Sequence, residues 1–216
     1  MTPGPDVAAA LLALPLFPLP EVVLLPGALL PLHIFEPRYR AMLADALATH
    51  RCIAMAYVLE PGAEPPRIAR AAGLGVIVQH EALPDGRSNI LLQGRARVAL
   101  DELPMAGLYR RARARILQQV DTSVPDADLA MLHAAVTRFV TSVRKRAPSA
   151  NFTLPAGVDA GGAADLCAHH LVMDAAARQR VLEELDVAAR VRLVATELTE
   201  QTVRLPGSAP SSERLN

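Results

Sequence analysis

Residues Leu14–Met42 read LPLFPLPEVVLLPGALLPLHIFEPRYRAM. The stretch is apolar, and Pro15, Pro18, Pro20, Pro26, Pro31 and Pro37 punctuate it every few residues. Each proline lacks the amide donor, and its ring clashes with the preceding helical turn, so most of the run is not a helix interior. Short extended pieces separated by turns fit it better. Val22–Leu25 is a strand candidate, Pro26-Gly27 a turn and Leu29–Ile34 a second extended piece. Pro37 suits the first turn of a helix, where a missing N–H is harmless, with Glu36 beside the positive helix end. Tyr39, Met42, Leu43 and Leu47 follow at helical spacing.

Downstream, Cys52–Leu59 is apolar and compatible with a strand. Residues 60–70, with Pro61, Gly62, Pro65 and Pro66, read as a loop. Gly73–His80 is another strand, and Pro84-Asp85-Gly86 is a strong turn that joins it to NILLQG, ending at Gly94. Arg97–Leu100 and Tyr109–Leu117 continue the β pattern. Arg111, Arg113 and Arg115 alternate with Ala112, Ala114 and Ile116, a period of two that puts the arginines on one face.

Near Asp121 the periodicity changes. Leu129, Leu132, Val136, Phe139, Val140 and Val143 form a helical stripe. Lys145 and Arg146 stand at its C-terminal end, where cations are favoured. Pro148–Gly162 reads as a loop, followed by a short helix through Leu166–Leu171. Asp174 and Asp186 are N-cap candidates for two more helices. The expected organisation is a flexible leader (1–13), a β-barrel part (14–120), an α-helical part (121–203) and a flexible tail (204–216). Strands followed by helices imply an α+β fold, not a doubly wound parallel sheet. Closure into a small barrel would remove the exposed edges of such short strands.

The totals narrow the function. The 216 residues are 51% hydrophobic, enough for a well-filled core, and 22 basic residues balance 22 acidic ones. No strong field points to nucleic acid or an anionic membrane. The longest charge-free stretches are too short and proline-rich to span a bilayer, and the N-terminus lacks a basic signal region. Cys52 and Cys167 suggest free core thiols and a reducing, cytoplasmic setting rather than a disulfide or zinc framework. A phosphate-binding GxxxxGK[ST] loop is absent, and the one lysine, Lys145, lies between two arginines at a helix end, solvated rather than activated. His169-His170 point about 100° apart on a helix and do not form a shared metal pair. His33 and Glu36 suit a hydrogen bond or cap at the helix entry better than a metal. No catalytic, cofactor or metal site is assigned. The arginines of 94–98 and 110–115 could track phosphates, but the few aromatics leave thin stacking platforms, so a solvated face is the preferred reading.

The Leu14–Met42 string, with AGLGVIVQ, LPDGRSNILLQGRARV and LYRRARARIL after it in order, resembles the N-terminal, substrate-recognition domain of the Lon ATP-dependent proteases. The stretch DLCAHHLVMDAAARQRVLEELDVAARVRLVATEL resembles that domain's helical part. The resemblance covers roughly residues 12–201. It implies a PUA-like pseudo-β-barrel with one early helix, followed by a C-terminal helical bundle. It also implies a stand-alone form without ATPase or peptidase modules, and a non-catalytic module for unfolded or partly folded polypeptides. A complete Lon-type protease or a chaperone is the alternative partner. The candidate contributors to a peptide surface are Leu29, Leu30, His33, Phe35 and Tyr39, with Arg38 and Arg95 at the rim. Phe35 and at least half of the leucines are expected in the core. A large apolar patch between barrel and helices would make that seam the binding site.

Overall fold

The computed structural model describes residues 6–60 and 62–205. A helical turn α1 (Val7–Ala10) precedes strands β1 (Leu14–Leu19) and β2 (Leu29–Ile34), helix α2 (Pro37–Ala48) and strands β3 (Cys52–Tyr57), β4 (Ala71–Ala82), β5 (Ser88–Glu102) and β6 (Arg111–Ile116). Helices α3 (Asp126–Arg144), α4 (Ala160–Leu171), α5 (Ala175–Glu183) and α6 (Val187–Arg204) complete the chain. The fold is α+β, as the order of patterns predicts. Part of the expected leader is ordered: Ala10 is buried, and the Ala114 N–H donates to Leu11 O at 2.8 Å. Of the expected tail, Arg204 ends α6, and residues 206–216 lie outside the described residues.

The strand order is β2-β5-β4-β3-β1-β6, and β5 also pairs with β6. The sheet therefore closes through β1, β3, β4, β5 and β6. The 15-residue β5 makes this possible, because Ser88–Gln93 pairs with β2 and Val98–Glu102 pairs with β6. What reads in sequence as two strands is one continuous strand. The barrel interior is narrow and takes small side chains: Ala54, Ala56, Ala72, Ala112 and Ala114 pack with Leu14, Leu16, Leu74, Val76 and Val98. On β6 the alternation holds, with Ala112 and Ala114 buried and Arg113 and Arg115 exposed.

Val22–Leu25 is not a strand, contrary to the expectation. It pairs with no other strand and is buried from both sides. Leu24 enters the core shared by α2 and the sheet, with Phe17, Met42, Ile53 and Leu92. Val23 and Leu25 enter the helical core, with Phe139, Cys167, Val191 and Leu198. The backbone passes so close to the sheet that only glycine fits beneath it. A Cβ on Gly73 would stand 1.9 Å from Leu24 O, and one on Gly94 2.1 Å from Leu25 O. The turn at Pro26-Gly27 is as expected: Gly27 has φ +79°, its N–H donates to Gly94 O at 3.0 Å, and the Gly94 N–H donates to Ala28 O at 2.9 Å.

Helices α5 and α6 start where the sequence places their caps. The Asp174 carboxylate accepts the Ala177 N–H at 2.6 Å, and Asp186 accepts that of Ala189 at 2.7 Å. Helix α4 begins earlier than expected, so Gly161 and Gly162 are helical rather than loop. Asp159 caps it through Gly162 N at 2.7 Å. The bare Gly161 leaves room for Arg190, whose Nη2 would lie 2.8 Å from an added Cβ.

Arg97, read in sequence with a solvated arginine face, is buried at the junction of sheet and helices. Its Nη1 and Nη2 donate to both oxygens of Asp165 on α4 at 2.9 and 2.5 Å, and its Nε donates to Leu182 O at the end of α5 at 2.9 Å. Arg190 on α6 is fully buried. Its Nε stands 3.3 Å from Asp165 Oδ1 without hydrogen-bond geometry, while Nη1 and Nη2 donate to Glu184 O and Gln119 Oε1 at 2.9 Å each. Burial, and then the Arg97 charge, push the Arg190 pKa down against the pull of Asp165. Gln179 Nε2 adds a bond from α5 to Ala71 O on β4 at 3.0 Å.

Two stability measurements check this arrangement. Gly94→Ala forces backbone against backbone and is expected to cost at least about 2 kcal/mol in urea unfolding. Arg97→Met leaves Asp165 without its fork and is expected to cost about 3–5 kcal/mol, whereas Arg97→Lys, which keeps the charge but not the planar donors, falls in between.

Candidate functional site

An open groove of about 840 Å³ lies at one end of the barrel. Its lining includes Leu16, Pro18 and Pro20 from β1 and the residue after it, Val58, the loop Gly62–Pro66, the β5–β6 connection and the first turn of α2. No residue of α3–α6 lines it. The β5–β6 connection carries LPMAGL (residues 103–108), in which Met105 is 65% exposed and Leu108 63%. Both side chains line the groove.

Arg110 holds one wall. Its Nε and Nη2 donate to Glu102, at 2.9 Å and 2.7 Å, and its Nη1 donates to Pro66 O at 2.7 Å. One side chain thus ties the end of β5 to the 62–66 loop. Tyr109 ties the same connection to α2, since its hydroxyl donates to Asp45 Oδ2 at 2.7 Å. Burial, and then Asp45 as a hydrogen-bond acceptor and neighbouring negative charge, push the Tyr109 pKa up to about 12.

The seven residues singled out in sequence separate in space. Arg38 and Tyr39 line the groove. Tyr39 is only 5% exposed and packs on Phe17, with ring centres 4.3 Å apart, and the Arg38 guanidinium lies 4.6 Å from its ring centre. Arg38 also pairs with Glu36 at 2.8 Å. Leu29 and His33 alternate to the outer face of β2, and Leu30 turns inward toward the α2 core. Phe35 is exposed rather than in the core, because Ile34 takes the inward position and Phe35 follows the strand end, 6.0 Å from the His33 ring. His33 bonds Asn89 Oδ1 at 2.8 Å and not Glu36. Arg95 has no register partner on β4, since Leu74 pairs with Ala96 and Gly75 with Gly94; this bulge turns it to solvent. Sequence reasoning missed Met105, Leu108, Tyr109 and Arg110. The readable signal was LPMAGL itself.

The free edge of β2 is poorly suited to adding a peptide strand. Pro31 in its middle has no N–H to offer. The seam between barrel and bundle is occupied by Val23, Leu25 and the Arg97–Asp165–Arg190 cluster.

Among the described residues no group of three His, Cys, Asp or Glu side chains could hold a metal ion. No helix among them is long and apolar enough to cross a membrane. Cys52 and Cys167 are buried, and burial pushes their thiols up to about 11 and about 12. Both thiols are therefore protonated near neutral pH and poor nucleophiles.

Tyr109 makes the wall of the groove sensitive to alkali. Its pKa in the fold lies above the unfolded value of 10.0, so its contribution to stability is present below pH 10 and is lost as pH rises toward about 12. Spectrophotometric titration is expected to show a late tyrosine step near pH 12 that Tyr109→Phe removes.

Residues 13–200 match the ATP-dependent protease La (Lon) substrate-binding domain family. The Lon protease of Roseiflexus castenholzii is 29% identical over 91% of this chain, and that of Heliobacterium modesticaldum 28% identical over 87%. The matched regions cover 25% and 24% of those proteins, so the chain spans about a quarter of the length of these relatives. A Lon N-terminal domain protein from Xanthomonas campestris has the same fold, with a TM-score of 0.64 at 20% identity over 85% of this chain and 97% of its own. The N-terminal domain of the Mycobacterium avium complex Lon protease aligns equally well, with a TM-score of 0.64 at 16% identity over 87% and 98%. With its fold and its sequence agreeing over nearly the whole described chain, this protein belongs to the Lon substrate-binding domain family.

Proposed function

We propose that this chain is a non-catalytic recognition module that binds unfolded or partly folded polypeptide segments in the groove at the end of the barrel. The observation that carries the reading is the pair of exposed side chains, Met105 and Leu108, set over a groove lined by Pro18, Pro20, Val58 and Pro66. An unfolded chain offers apolar side chains that a folded one hides, and a groove of this lining takes them out of water. The prolines contribute walls that lose little freedom on binding, which lowers the entropic cost of association. Membership of a substrate-binding family supports the same reading.

The test is fluorescence anisotropy with fluorescein-labelled, reduced and carboxymethylated lysozyme, a chain that stays unfolded. Saturable binding is expected. Burying one such side chain stabilises by about 1.5–3 kcal/mol, so the double variant Met105→Ser/Leu108→Ser is expected to weaken binding at least about tenfold. Met173→Ser, which alters an exposed methionine between α4 and α5, should leave it unchanged. Absence of saturable binding, or equal losses in the two variants, would overturn the proposal.

A further inference from the structure

Arg110 lines two cavities at once. Beside the groove of about 840 Å³ lies a second cavity of about 460 Å³, and the two share Pro65, Pro66, Glu102 and Arg110. Residues common to both stand between them. Three of these are bonded to one another: Nε and Nη2 of Arg110 donate to Glu102, and Nη1 donates to Pro66 O. The Arg110 side chain is only 16% exposed. Beyond this partition the apolar lining resumes with Ile68 and Leu100. Val58 on the groove side is bridged to Ile68 on the far side, so the same piece of barrel wall runs past the partition. That wall is fixed: the Leu59 N–H donates to Arg67 O and the Ala69 N–H to Tyr57 O, each at 2.9 Å.

The partition is firm for a physical reason. A guanidinium presents its donors in a rigid plane that matches a carboxylate, and hydrogen bonds between ionised groups are the strong ones. Here all three guanidinium nitrogens are engaged, two on Glu102 and one on a proline carbonyl. An apolar side chain arriving along the groove offers neither a carboxylate nor a carbonyl in exchange. To pass, it would have to break several of these bonds and would replace none of them. Without the Arg110 side chain the two cavities would be one channel, continuing from Val58 toward Ile68 and Leu100.

We propose that Arg110 is the end wall of the groove and the residue that sets how long a segment the groove accepts. This rests on the groove being the peptide site. A bound segment gains from each apolar side chain it lays between Met105 and the partition. At Arg110 it has to turn out into solvent, and residues past that point add nothing. The second cavity is held in reserve behind the wall. Length is thus read by a block against longer occupants, and not by an added attraction for shorter ones.

The experiment uses two sets of fluorescein-labelled, capped peptides of Leu, Val, Ala, Gly and Gln. Each set grows from a common hexapeptide by one leucine at a time, the first set at the N-terminal end and the second at the C-terminal end. In the wild type, affinity is expected to stop rising with length in one of the sets. Arg110→Ala is expected to restore the gain there, with at least about fivefold tighter binding for the next leucine, whose side chain now leaves water in the second cavity. Adding Arg70→Trp, which refills that cavity from its own lining, should bring the stop back. The stop in the wild type needs no variant to be seen, so affinity that rises without limit in both sets would overturn the end wall even where Arg110→Ala is unstable. If Arg110→Ala weakens binding equally at every length while Met105→Ser/Leu108→Ser also loses binding, Arg110 only braces the groove; the end wall falls and the groove stands. If the wild type binds none of the peptides, both readings fall together.

Discussion

The fold depends on the carbonyls of Leu24 and Leu25 lying against the bare Cα atoms of Gly73 and Gly94. The segment is pressed onto the barrel wall, and only glycine on β4 and β5 lets it come so near. Because both its faces are covered, its residues serve two cores in alternation. Leu24 belongs to the layer under α2, and Val23 and Leu25 belong to the helical core. Neither core is complete without it. A side chain at either glycine would lift the segment, and the loss would be felt in the barrel, in α2 and in the bundle together.

Electrostatics fixes the same junction from the other side. Arg97 reaches from β5 to α4 and to the carbonyl end of α5, and Asp165 answers both Arg97 and Arg190. Removing three charges from water carries a large desolvation penalty, and ion pairing repays it only when the geometry is good. Here the donors of Arg97 meet two carboxylate oxygens and a carbonyl, and Arg190 adds Glu184 O and Gln119. An apolar seam would tolerate sliding; a forked pair has one register. The junction is thus a fixed joint, and the groove, lined by no residue of α3–α6, lies away from it.

What the sequence revealed was local chemistry. Pro37 at the first turn of α2, the caps Asp174 and Asp186, the turn at Pro26-Gly27 and the bounds of β2 all rest on backbone rules that act within a few residues. What it hid was set by distant partners. Val22–Leu25 has the composition of a strand, and only the glycines of β4 and β5 show why it is not one. Arg97 lies two residues from exposed Arg95, and nothing nearby announces that Asp165 waits 68 positions on. Gly161 looks like loop until Arg190 needs the space. The candidate site was legible in the same half measure. FEPRYR pointed to Arg38 and Tyr39, which do reach the groove, whereas the opposite wall comes from LPMAGL, a segment whose exposure becomes informative only once the barrel has closed.

The composition of the groove follows from how the barrel ends. Pro18, Pro20 and Pro66 have no N–H to offer at this rim, and Arg110 braces it by donating to Pro66 O. A rim built this way has no row of unpaired donors that would template strand addition, and β2 is blunted in its own fashion by Pro31. That leaves a stiff groove whose apolar lining is bordered by the Arg38–Glu36 and Arg110–Glu102 pairs. Walls of this kind need little further ordering when a chain enters, so the cost of fixing them is already met in the fold.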